Sequence, residues 1–391
     1  MGRGKPAVLS FKGCVMYEKI ELMYSPARQG EILKDKITNR FAQIMTHGQF
    51  IMGQEVKDIE KKLADFCGAK HAIGCANGTD ALTLSLMAID LKPNDVIFVP
   101  SFTYSATPEA ICLLGGKPYF IDAEADGFNI SLQSLESSIK EAKAQGLKIK
   151  GIISVDIFGE PCAYDAIKQI ADSYGLKVIA DAAQSFGSVY KGKKIGALGD
   201  IAATSFFPTK PLGCFGDGGM LFTNDDKLAE LLRSLSQHGK GDNKYDIVRI
   251  GMNSRLDSLQ AAVLLEKVNI FTDEIKKRQE LAAYYNEKLR NYIATPKTLA
   301  GNESVWAVYT LSHPKRDEII TRLKAKNIPS NIYYPLPLHK QPAYKDAFRA
   351  SSLENSERYS SQVFCLPMHA YVSHEQREYI TANLIEILES V

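Results

Sequence analysis

The sequence predicts an α/β fold built on a mostly parallel β-sheet with helices on both faces. Short apolar runs, rich in β-branched and aromatic residues, recur between residues 71 and 207 and have the length of buried strands. Amphipathic stretches of helical length separate most of these runs, as expected for parallel strands joined by crossover helices. Such sheets bind ligands at the carboxyl ends of their strands, so residues that directly follow an apolar run are candidates for function.

The elements follow one another in a regular order along the chain. Residues 28–66 have a helical pattern that two glycines interrupt within HGQFIMGQ, residues 47–54. Strands are expected at residues 71–76, 95–100, 117–122, 149–156, 176–181 and 203–207. Helices are expected between them at residues 79–91, 106–114, 131–145 and 163–174. Beyond these we expect a long helix at about residues 255–291, a strand near 306–312 and helices near 315–326 and 374–389.

The chain length favours two unequal domains, because 391 residues are too many for one simple core. We expect an N-terminal extension at residues 1–19, a large domain with the ligand site at residues 20–265, and a small α+β domain at residues 266–391. The long helix is the expected bridge between the two domains.

The composition argues against several classes of protein. The formal net charge is +2, which gives no electrostatic footprint for nucleic acid or an anionic membrane. No apolar run approaches the ~18 residues of a membrane span, and the N-terminal segment lacks the apolar stretch of a signal peptide. The seven cysteines form no CxxC pair and have no histidines at zinc spacing. We therefore expect reduced thiols, no metal site and a cytoplasmic location.

Asp181 ends the apolar run LKVIAD and is a candidate for a ligand contact. One interpretation is a helix N-cap, a common role for Asp after a strand. The other is a carboxylate that faces a ligand. In an enzyme that uses pyridoxal 5'-phosphate (PLP), such a carboxylate pairs with the protonated ring nitrogen and keeps the ring an electron sink. Gln184, three residues later, is then a candidate for a hydrogen bond to the ring oxygen.

The segment NGTDAL, residues 77–82, lies between an expected strand and an expected helix. It is either a plain strand-to-helix turn with a Thr or Asp cap, or a phosphate site. Gly78 permits close backbone approach, and the free amides and positive dipole end of a helix N-terminus beginning near Thr79 attract phosphate. The chain has neither a Walker A motif nor a GxGxxG dinucleotide fingerprint.

The stretch SFFPTKPLGCFGDGG, residues 205–219, holds one lysine, Lys210, among aromatic, proline and glycine residues. Most loop lysines point into water, which is one interpretation of Lys210. The apolar neighbours favour another, because low local polarity disfavours the ammonium form and lowers the pKa of the amine. A neutral amine attacks an aldehyde and moves protons, which is the chemistry of a Schiff-base lysine. The glycines let the backbone turn tightly beside a cofactor.

Two further residues extend this candidate cofactor site. Tyr104 follows the expected strand DVIFVP and is either a core aromatic or a ring that stacks on a planar ligand. Ser205 precedes Lys210 by five residues and offers a hydroxyl to a phosphate. Each signal alone is weak or moderate, but their order on one parallel-sheet pattern is much more specific and indicates a PLP enzyme.

The chain resembles the DegT/DnrJ/EryC1/StrS family of PLP-dependent nucleotide-sugar aminotransferases. The resemblance runs from about residue 20 to the C-terminus through the motifs CANGTDAL, PSFTYSAT, ADAAQSFGSVYKGK, TSFFPTKPLGCFGDGGM, GMNSRLDSLQAA, YYPLPLHKQPAY and CLPMHAY. It implies the PLP-dependent transferase fold of type I, which is like that of aspartate aminotransferase. It also implies a homodimer in which the neighbouring subunit completes each active site.

The resemblance implies a role for each candidate residue. Lys210 is the lysine that forms the Schiff base with PLP, and Asp181 is the partner of the pyridine nitrogen. The other cofactor contacts implied are Gly78, Thr79, Tyr104, Gln184, Ser205 and, from the neighbouring subunit, Asn253. The substrate contacts implied are Arg255, Tyr333, Tyr334 and His339. The family often has His-Tyr-Pro where this chain has Tyr333, Tyr334 and Pro335.

The resemblance also implies the reaction. Related sugar 3-dehydratases have histidine in place of Lys210, so this chain is expected to transfer an amino group from L-glutamate to a keto sugar. SFFPTKPLGCFGDGG, HGQFIMGQEV and HGKGDNKYD resemble one branch in particular, which aminates UDP-2-acetamido-2-deoxy-3-oxo-glucuronate for O-antigen and capsule sugars.

Three alternatives stay open at this point. Arg255 suits a uronate carboxylate through two hydrogen bonds, or it is a helix-start arginine paired with Asp257 or solvent. The substrate is alternatively a dTDP-3-oxo-6-deoxyhexose or a 4-keto nucleotide sugar. In another class, the chain is a non-catalytic nucleotide-sugar binding or regulatory protein of the same fold.

Overall fold

A computed structural model describes residues 19–243 and 245–391. The expected N-terminal extension, residues 1–19, lies outside these described residues except for Lys19. The strands, numbered along the chain, are β1 (His71–Cys75), β2 (Val96–Pro100), β3 (Lys117–Ile121), β4 (Ile149–Val155), β5 (Lys177–Asp181), β6 (Val189–Tyr190), β7 (Lys193–Lys194), β8 (Ile201–Ser205), β9 (Gly219–Thr223), β10 (Asn302–Glu303), β11 (Tyr309–Ser312), β12 (Phe348–Arg349) and β13 (Val363–Leu366).

Eight of these strands form the central sheet, in the order β1-β9-β8-β5-β4-β2-β3-β12. Neighbouring strands from β8 through to β12 are parallel, whereas β9 is antiparallel to both of its neighbours, β1 and β8. The prediction of a mostly parallel α/β sheet is confirmed. No strand was expected at β9, whose five residues are all buried.

The helices are α1 (Pro26–His47), α2 (Gln54–Cys67), α3 (Gly78–Ala88), α4 (Ala106–Leu113), α5 (Leu132–Ala144), α6 (Tyr164–Tyr174), α7 (Asp226–Leu235), α8 (Ser258–Leu289), α9 (Arg316–Ala325), α10 (Glu354–Gln362) and α11 (His374–Leu388). The helical pattern of residues 28–66 is broken where the glycines predicted, with Gly48 ending α1 in a left-handed conformation. The expected long helix is α8. Helices α7 and α10 were not predicted.

Both faces of the central sheet are buried under helices. Along β4, Ile152 belongs to the apolar cluster that includes residues of α1, α2, α5, α6 and α8, and its neighbour Ile153 belongs to the cluster that includes residues of α3, α4 and α7. Val178 and Ile179 of β5 alternate in the same way. Two-sided burial explains why these strands read as continuous apolar runs rather than as alternating patterns.

The C-terminal part of the chain has an apolar cluster of its own. The second half of α8 contributes Tyr285, which packs beside Tyr309 of β11, and the cluster also includes Phe364 of β13 and Leu384 of α11. Strands β11 and β13 pair with each other in a two-stranded sheet, separate from the central one. Helix α8 therefore contributes side chains both to the core under the central sheet and to this second core.

Two absences hold for residues 19–243 and 245–391. No helix there combines the length and apolarity needed to cross a lipid bilayer. No group of three or more His, Cys, Asp or Glu side chains there is arranged so that it could bind a metal ion. The six cysteines in this part of the chain are free thiols.

Candidate active site

A cleft of about 830 Å³ opens at the carboxyl ends of the central strands. It is lined by segments that follow β1, β2, β5 and β8, because the carboxyl ends of strands running in one direction meet at one edge of the sheet. The predicted site residues that line this cleft are Gly78, Thr79, Tyr104, Asp181, Gln184, Ser205, Lys210, Tyr333 and Tyr334. Asn253, Arg255 and His339 do not line it.

Asp181 is a buried carboxylate at the last position of β5. Its Oδ2 accepts a hydrogen bond from Thr107 Oγ1 at 2.8 Å, and its Oδ1 accepts one from the Ala183 amide at 3.2 Å. Burial raises the pKa of the Asp181 carboxyl, and these two hydrogen bonds work in the opposite direction. Although Asp181 does bond an amide two residues on, no α-helix begins there, so the N-cap interpretation does not hold.

Gln184 is held from both ends of its side-chain amide. Its Oε1 accepts a hydrogen bond from the Phe158 amide at 2.9 Å, and its Nε2 donates to the Tyr334 hydroxyl at 3.2 Å. Phe158 has a positive φ of 59°, which is uncommon for an aromatic residue and lies in the turn directly after β4. Gln184 therefore links the turn after β4 to Tyr334, which comes from the C-terminal part of the chain.

Lys210 lies in a tight loop between β8 and β9. Its amide donates to the Phe207 carbonyl at 2.8 Å, and the Cys214 amide donates to the Phe206 carbonyl at 2.7 Å, which closes the loop. Gly213 permits this closure, because a Cβ there would lie 2.7 Å from the carbonyl oxygens of Phe207 and Pro208.

The amine of Lys210 has the surroundings that its sequence context predicted. Burial lowers its pKa, and the negative charge of Asp181 partly offsets this shift. Within the described part of the chain, no acceptor forms a hydrogen bond with Lys210 Nζ. A partly desolvated amine therefore shares one cleft with a buried carboxylate.

The N-terminus of α3 approaches the end of β8 very closely. A Cβ at residue 78 would lie 2.7 Å from the Cβ of Ser205, so only glycine fits without displacing that residue. The helix is capped by Asn77, whose Oδ1 accepts from the Asp80 amide at 2.8 Å, rather than by the Thr or Asp considered from sequence. The amides of Gly78 and Thr79 face no acceptor among the described residues, which leaves them available to an anion.

Aromatic residues form another side of the cleft. Tyr104 is 58% exposed, and its ring centroid lies 6.0 Å from that of Tyr334 at an interplanar angle of 36°. Tyr333 directs its hydroxyl to Met23 Sδ at 3.2 Å. Burial raises the pKa of the Tyr334 hydroxyl, so this group is neutral and donates or accepts hydrogen bonds at neutral pH.

The three remaining predicted residues lie elsewhere. Asn253 is exposed and forms an isolated bridge with Gln237. Arg255 forms no ion pair with Asp257 or with any other residue that the structure describes. His339 is buried, and both of its ring nitrogens have partners outside the cleft.

A family model, described as the DegT/DnrJ/EryC1/StrS aminotransferase family, matches residues 31–385. The chain belongs to this family. It is 45% identical to the UDP-2-acetamido-2-deoxy-3-oxo-D-glucuronate aminotransferase of Pseudomonas aeruginosa over 370 residues, which cover 94% of this chain and 99% of that protein.

Solved structures of aminotransferases have the same fold. A DegT/DnrJ/EryC1/StrS aminotransferase from Brucella abortus superimposes with a TM-score of 0.92 at 43% identity, over 94% of this chain and 99% of that one. NtdA from Bacillus subtilis with bound cofactor PMP superimposes with a TM-score of 0.85 at 28% identity, over 98% of this chain and 91% of that one. The predicted fold type is therefore confirmed, and the chain is an aminotransferase rather than a non-catalytic binding protein.

PLP is the cofactor of this aminotransferase family, and the residues of the cleft fit it. The fit rests on the free amides at the start of α3, the closely approaching Ser205, the buried Asp181 and the amine of Lys210. These groups match a phosphate, a ring nitrogen and an aldehyde in chemical type.

Sequence reasoning missed two contacts of this cleft. Thr107 bonds Asp181 across the site, and the Phe158 amide fixes Gln184. Thr107 lies within the motif SFTYSAT, but nothing local shows that its hydroxyl reaches a carboxylate 74 residues away. The contact of Phe158 is made by its backbone, which no residue type in the sequence reveals.

Proposed function

We propose that this aminotransferase transfers the amino group of L-glutamate to the 3-keto carbon of a UDP-linked uronate, UDP-2-acetamido-2-deoxy-3-oxo-glucuronate. The single observation that best supports transamination is that the Lys210 amine, whose pKa is lowered by burial, lies in the same cleft as Asp181. The substrate is supported by the 45% identity over 94% of the chain to an enzyme named for it.

We propose that the predicted cofactor residues hold PLP as follows. The amides of Gly78 and Thr79, with the Ser205 hydroxyl, bind the phosphate, and Asp181 binds the protonated ring nitrogen. Tyr104 packs against the ring face, and Gln184 contacts the ring hydroxyl. When bound, PLP supplies the electron sink that stabilises a carbanion at the amine carbon. The amine of Lys210 would then accept and return the proton that moves during transamination.

The charge of the cleft supports a homodimer with shared active sites. The described residues that line it include four carboxylates, at Asp80, Glu109, Asp181 and Asp217, but one basic side chain, Lys210, whose pKa is lowered by burial. The proposed ligands carry phosphate, diphosphate and carboxylate groups, so cations must come from outside this lining. We propose that a second copy supplies Arg255 to the uronate and Asn253 to the PLP phosphate. Tyr333 and Tyr334 of the chain that forms the cleft would lie beside the sugar.

The homodimer is also supported by an exposed apolar loop next to these residues. Ile247, Val248 and Ile250 are at least half exposed, in the segment that leads to Asn253. Apolar side chains grouped in this way mark an interaction surface. We propose that this loop packs against the second copy.

The wider setting is proposed on the same basis. We place the enzyme in the cytoplasm, in the synthesis of O-antigen or another surface polysaccharide that contains aminated uronates. We also place the boundary between the large and the small domain at about residue 265, within α8.

The test is an amination assay with L-glutamate and a panel of keto sugars. The panel holds the UDP-linked 3-keto-uronate, its neutral UDP-linked counterpart, a dTDP-3-oxo-6-deoxyhexose and a 4-keto nucleotide sugar. We expect kcat/KM to be highest for the uronate and the advantage over the neutral sugar to fall at least about 10-fold in Arg255→Ala. A preference for either of the last two sugars would overturn the substrate proposal, and an equal loss on uronate and neutral sugar would overturn the role of Arg255.

A further inference from the structure

Residues 338–344 form hydrogen bonds with the turn that carries Tyr104. The Leu338 amide donates to the Ser101 carbonyl at 2.9 Å, and the Tyr344 hydroxyl donates to the Ser105 carbonyl at 3.2 Å. The His339 ring makes a third contact, from Nδ1 to Ser101 Oγ at 2.7 Å. The turn of residues 101–105 is thus held at both of its ends from the C-terminal part of the chain.

His339 is itself fixed from its other side. Its Nε2 lies 3.1 Å from Oε1 of Glu357, a residue of α10. A carboxylate only accepts hydrogen bonds, so Nε2 carries the proton and Nδ1 accepts from the Ser101 hydroxyl. Burial lowers the pKa of His339, which agrees with a neutral ring at neutral pH. Ser101 is fully buried, so His339 is the acceptor that its hydroxyl needs.

Tyr104 depends on its turn for its position. Its side chain is 58% exposed, and the ring contact described for it is the tilted one with Tyr334. Packing of the ring alone therefore fixes it weakly, whereas the backbone on both sides is anchored through Ser101 and Ser105. The orientation of the Tyr104 ring in the cleft follows from the backbone of this turn.

We propose that Ser101, His339 and Glu357 form a positioning relay that sets the Tyr104 ring for contact with PLP. This inference rests on the proposed role of Tyr104 and replaces a direct substrate contact for His339. The relay connects α10 with the carboxyl end of β2, and none of its three residues lines the cleft. Without it the turn is held only through the Leu338 amide and the Tyr344 hydroxyl, so PLP is bound by the same groups but with a less well-placed Tyr104 ring.

Two substitutions of His339 separate the halves of the relay. In His339→Asn, the side-chain carbonyl oxygen takes the place of Nδ1, so it keeps the hydrogen bond from the Ser101 hydroxyl and loses the one to Glu357. In His339→Gln, the side-chain NH₂ takes the place of Nε2, so it keeps the hydrogen bond to Glu357 and loses the one from Ser101. We expect His339→Gln to weaken PLP binding about 5- to 10-fold and His339→Asn to stay within about 2-fold of wild type. Ser101→Ala should behave like His339→Gln. The matched control is Lys340→Gln, which removes the 2.7 Å contact of Lys340 with the other oxygen of Glu357 and should change nothing.

Amide hydrogen exchange on the PLP-free protein gives a readout that does not depend on activity. We expect His339→Gln to speed exchange in peptides covering residues 101–106 and to leave the strands of the central sheet unchanged. Faster exchange throughout the protein would mean a general loss of stability and would overturn the relay.

A double-mutant cycle with Tyr104 decides between the relay and independent effects. In a Tyr104→Ala background, His339→Gln should weaken PLP binding by less than about 2-fold, because the ring it positions is gone. Full, multiplicative effects of the two substitutions would overturn the relay. If Tyr104→Ala alone leaves PLP binding unchanged, the role of Tyr104 and the relay both fail, while amination of the keto sugar by the wild-type enzyme would still stand.

Discussion

The half of the active site assigned to the cofactor and the half assigned to the substrate differ in how they are built. The cofactor residues lie on strand ends or a helix N-terminus, and hydrogen bonds within the chain fix Asp181 and Gln184. The substrate residue Arg255 follows a loop with exposed apolar side chains and has no ionic partner among the described residues. One chain therefore supplies every proposed cofactor contact except Asn253, which we assign to the second copy, whereas the substrate half needs positive charge from outside the cleft lining.

The largest expected effect comes from the centre of the cofactor half. Lys210→Ala removes the amine that we propose bonds the cofactor and moves the proton, so we expect transamination to fall at least about 1,000-fold. The absorbance band of lysine-bound PLP near the visible edge should disappear as well. Lys227→Ala, at an exposed position on α7, is the control and should keep both. Substantial activity in Lys210→Ala would show that another amine does this work.

A smaller loss is expected at Asp181. Asp181→Asn keeps the shape and an acceptor for Thr107 but lacks the negative charge that we propose holds a proton on the PLP ring nitrogen. We expect kcat to fall about 100-fold, because the ring becomes a weaker electron sink. Thr107→Val, which removes one hydrogen bond and leaves the charge, should cost about 10-fold or less. Equal losses in the two variants would contradict the assigned role of the charge.

Gly78→Ala tests the phosphate end of the cofactor half. The added Cβ would meet the Ser205 Cβ at 2.7 Å, so α3 or the end of β8 must shift. We expect PLP binding to weaken about 10-fold while the protein remains folded. Ser205→Gly removes the clash but also the proposed phosphate contact of the Ser205 hydroxyl, so it serves as the background for the comparison. Adding Gly78→Ala to Ser205→Gly should weaken PLP binding by less than about 2-fold. A loss as large as in the wild-type background would show that steric contact is not the cause.

The smallest effect concerns the scaffold beneath the cofactor half. Glu160 Oε1 accepts hydrogen bonds from the Leu299 amide and Asn302 Nδ2, both at 3.0 Å, while its Oε2 is buried without a partner. Burial raises the pKa of Glu160 from 4.5 to about 7. The folded state therefore holds this proton more tightly than the unfolded state, and the resulting stability is lost as pH rises from about 4.5 to about 7.

Glu160→Gln removes this titration. We expect its free energy of unfolding, relative to that of wild type, to be larger at pH 8 than at pH 5 by on the order of 2 kcal/mol. Urea unfolding at the two pH values measures the difference. Glu303→Gln, at an exposed position of β10, is the control and should show none. The same relative stability of Glu160→Gln at both pH values would contradict a buried, titrating Glu160.

That the proposed cofactor residues lie together in one cleft was predictable from sequence, because their signals are local. Asp181, Ser205 and Lys210 each end or follow an apolar run, and parallel strands bring such positions to one edge. Strand β9 was missed because Gly219 was assigned to the flexible glycine-rich loop, although it pairs with both Cys75 and Ser205. Helix α7 was not predicted, although the sequence contains its N-cap residue. Asp225 Oδ1 accepts hydrogen bonds from the Lys227 and Leu228 amides at the start of this helix.

The contacts that sequence did not reveal are long-range ones. His339 bonds Ser101 across 238 residues, and no periodicity or local motif encodes that pairing. The sequence offered His339 as a substrate contact, whereas the structure places its ring nitrogens against Ser101 and Glu357. The partners of His339 come together only when the chain has folded, and the proposed role of Arg255 also needs a second copy. Local sequence patterns specify neither arrangement.

The most direct measurement is subunit complementation between Lys210→Ala and Arg255→Ala. The two variants are co-expressed with different affinity tags, purified through both tags, and assayed on the UDP-linked 3-keto-uronate. If Arg255 acts in the site of the other copy, each mixed dimer has one intact site and one doubly altered site, and we expect about half of wild-type activity. If the mixed dimer is no more active than the mean of the two variant homodimers, Arg255 serves its own chain's site, and the division of the site between two copies is wrong.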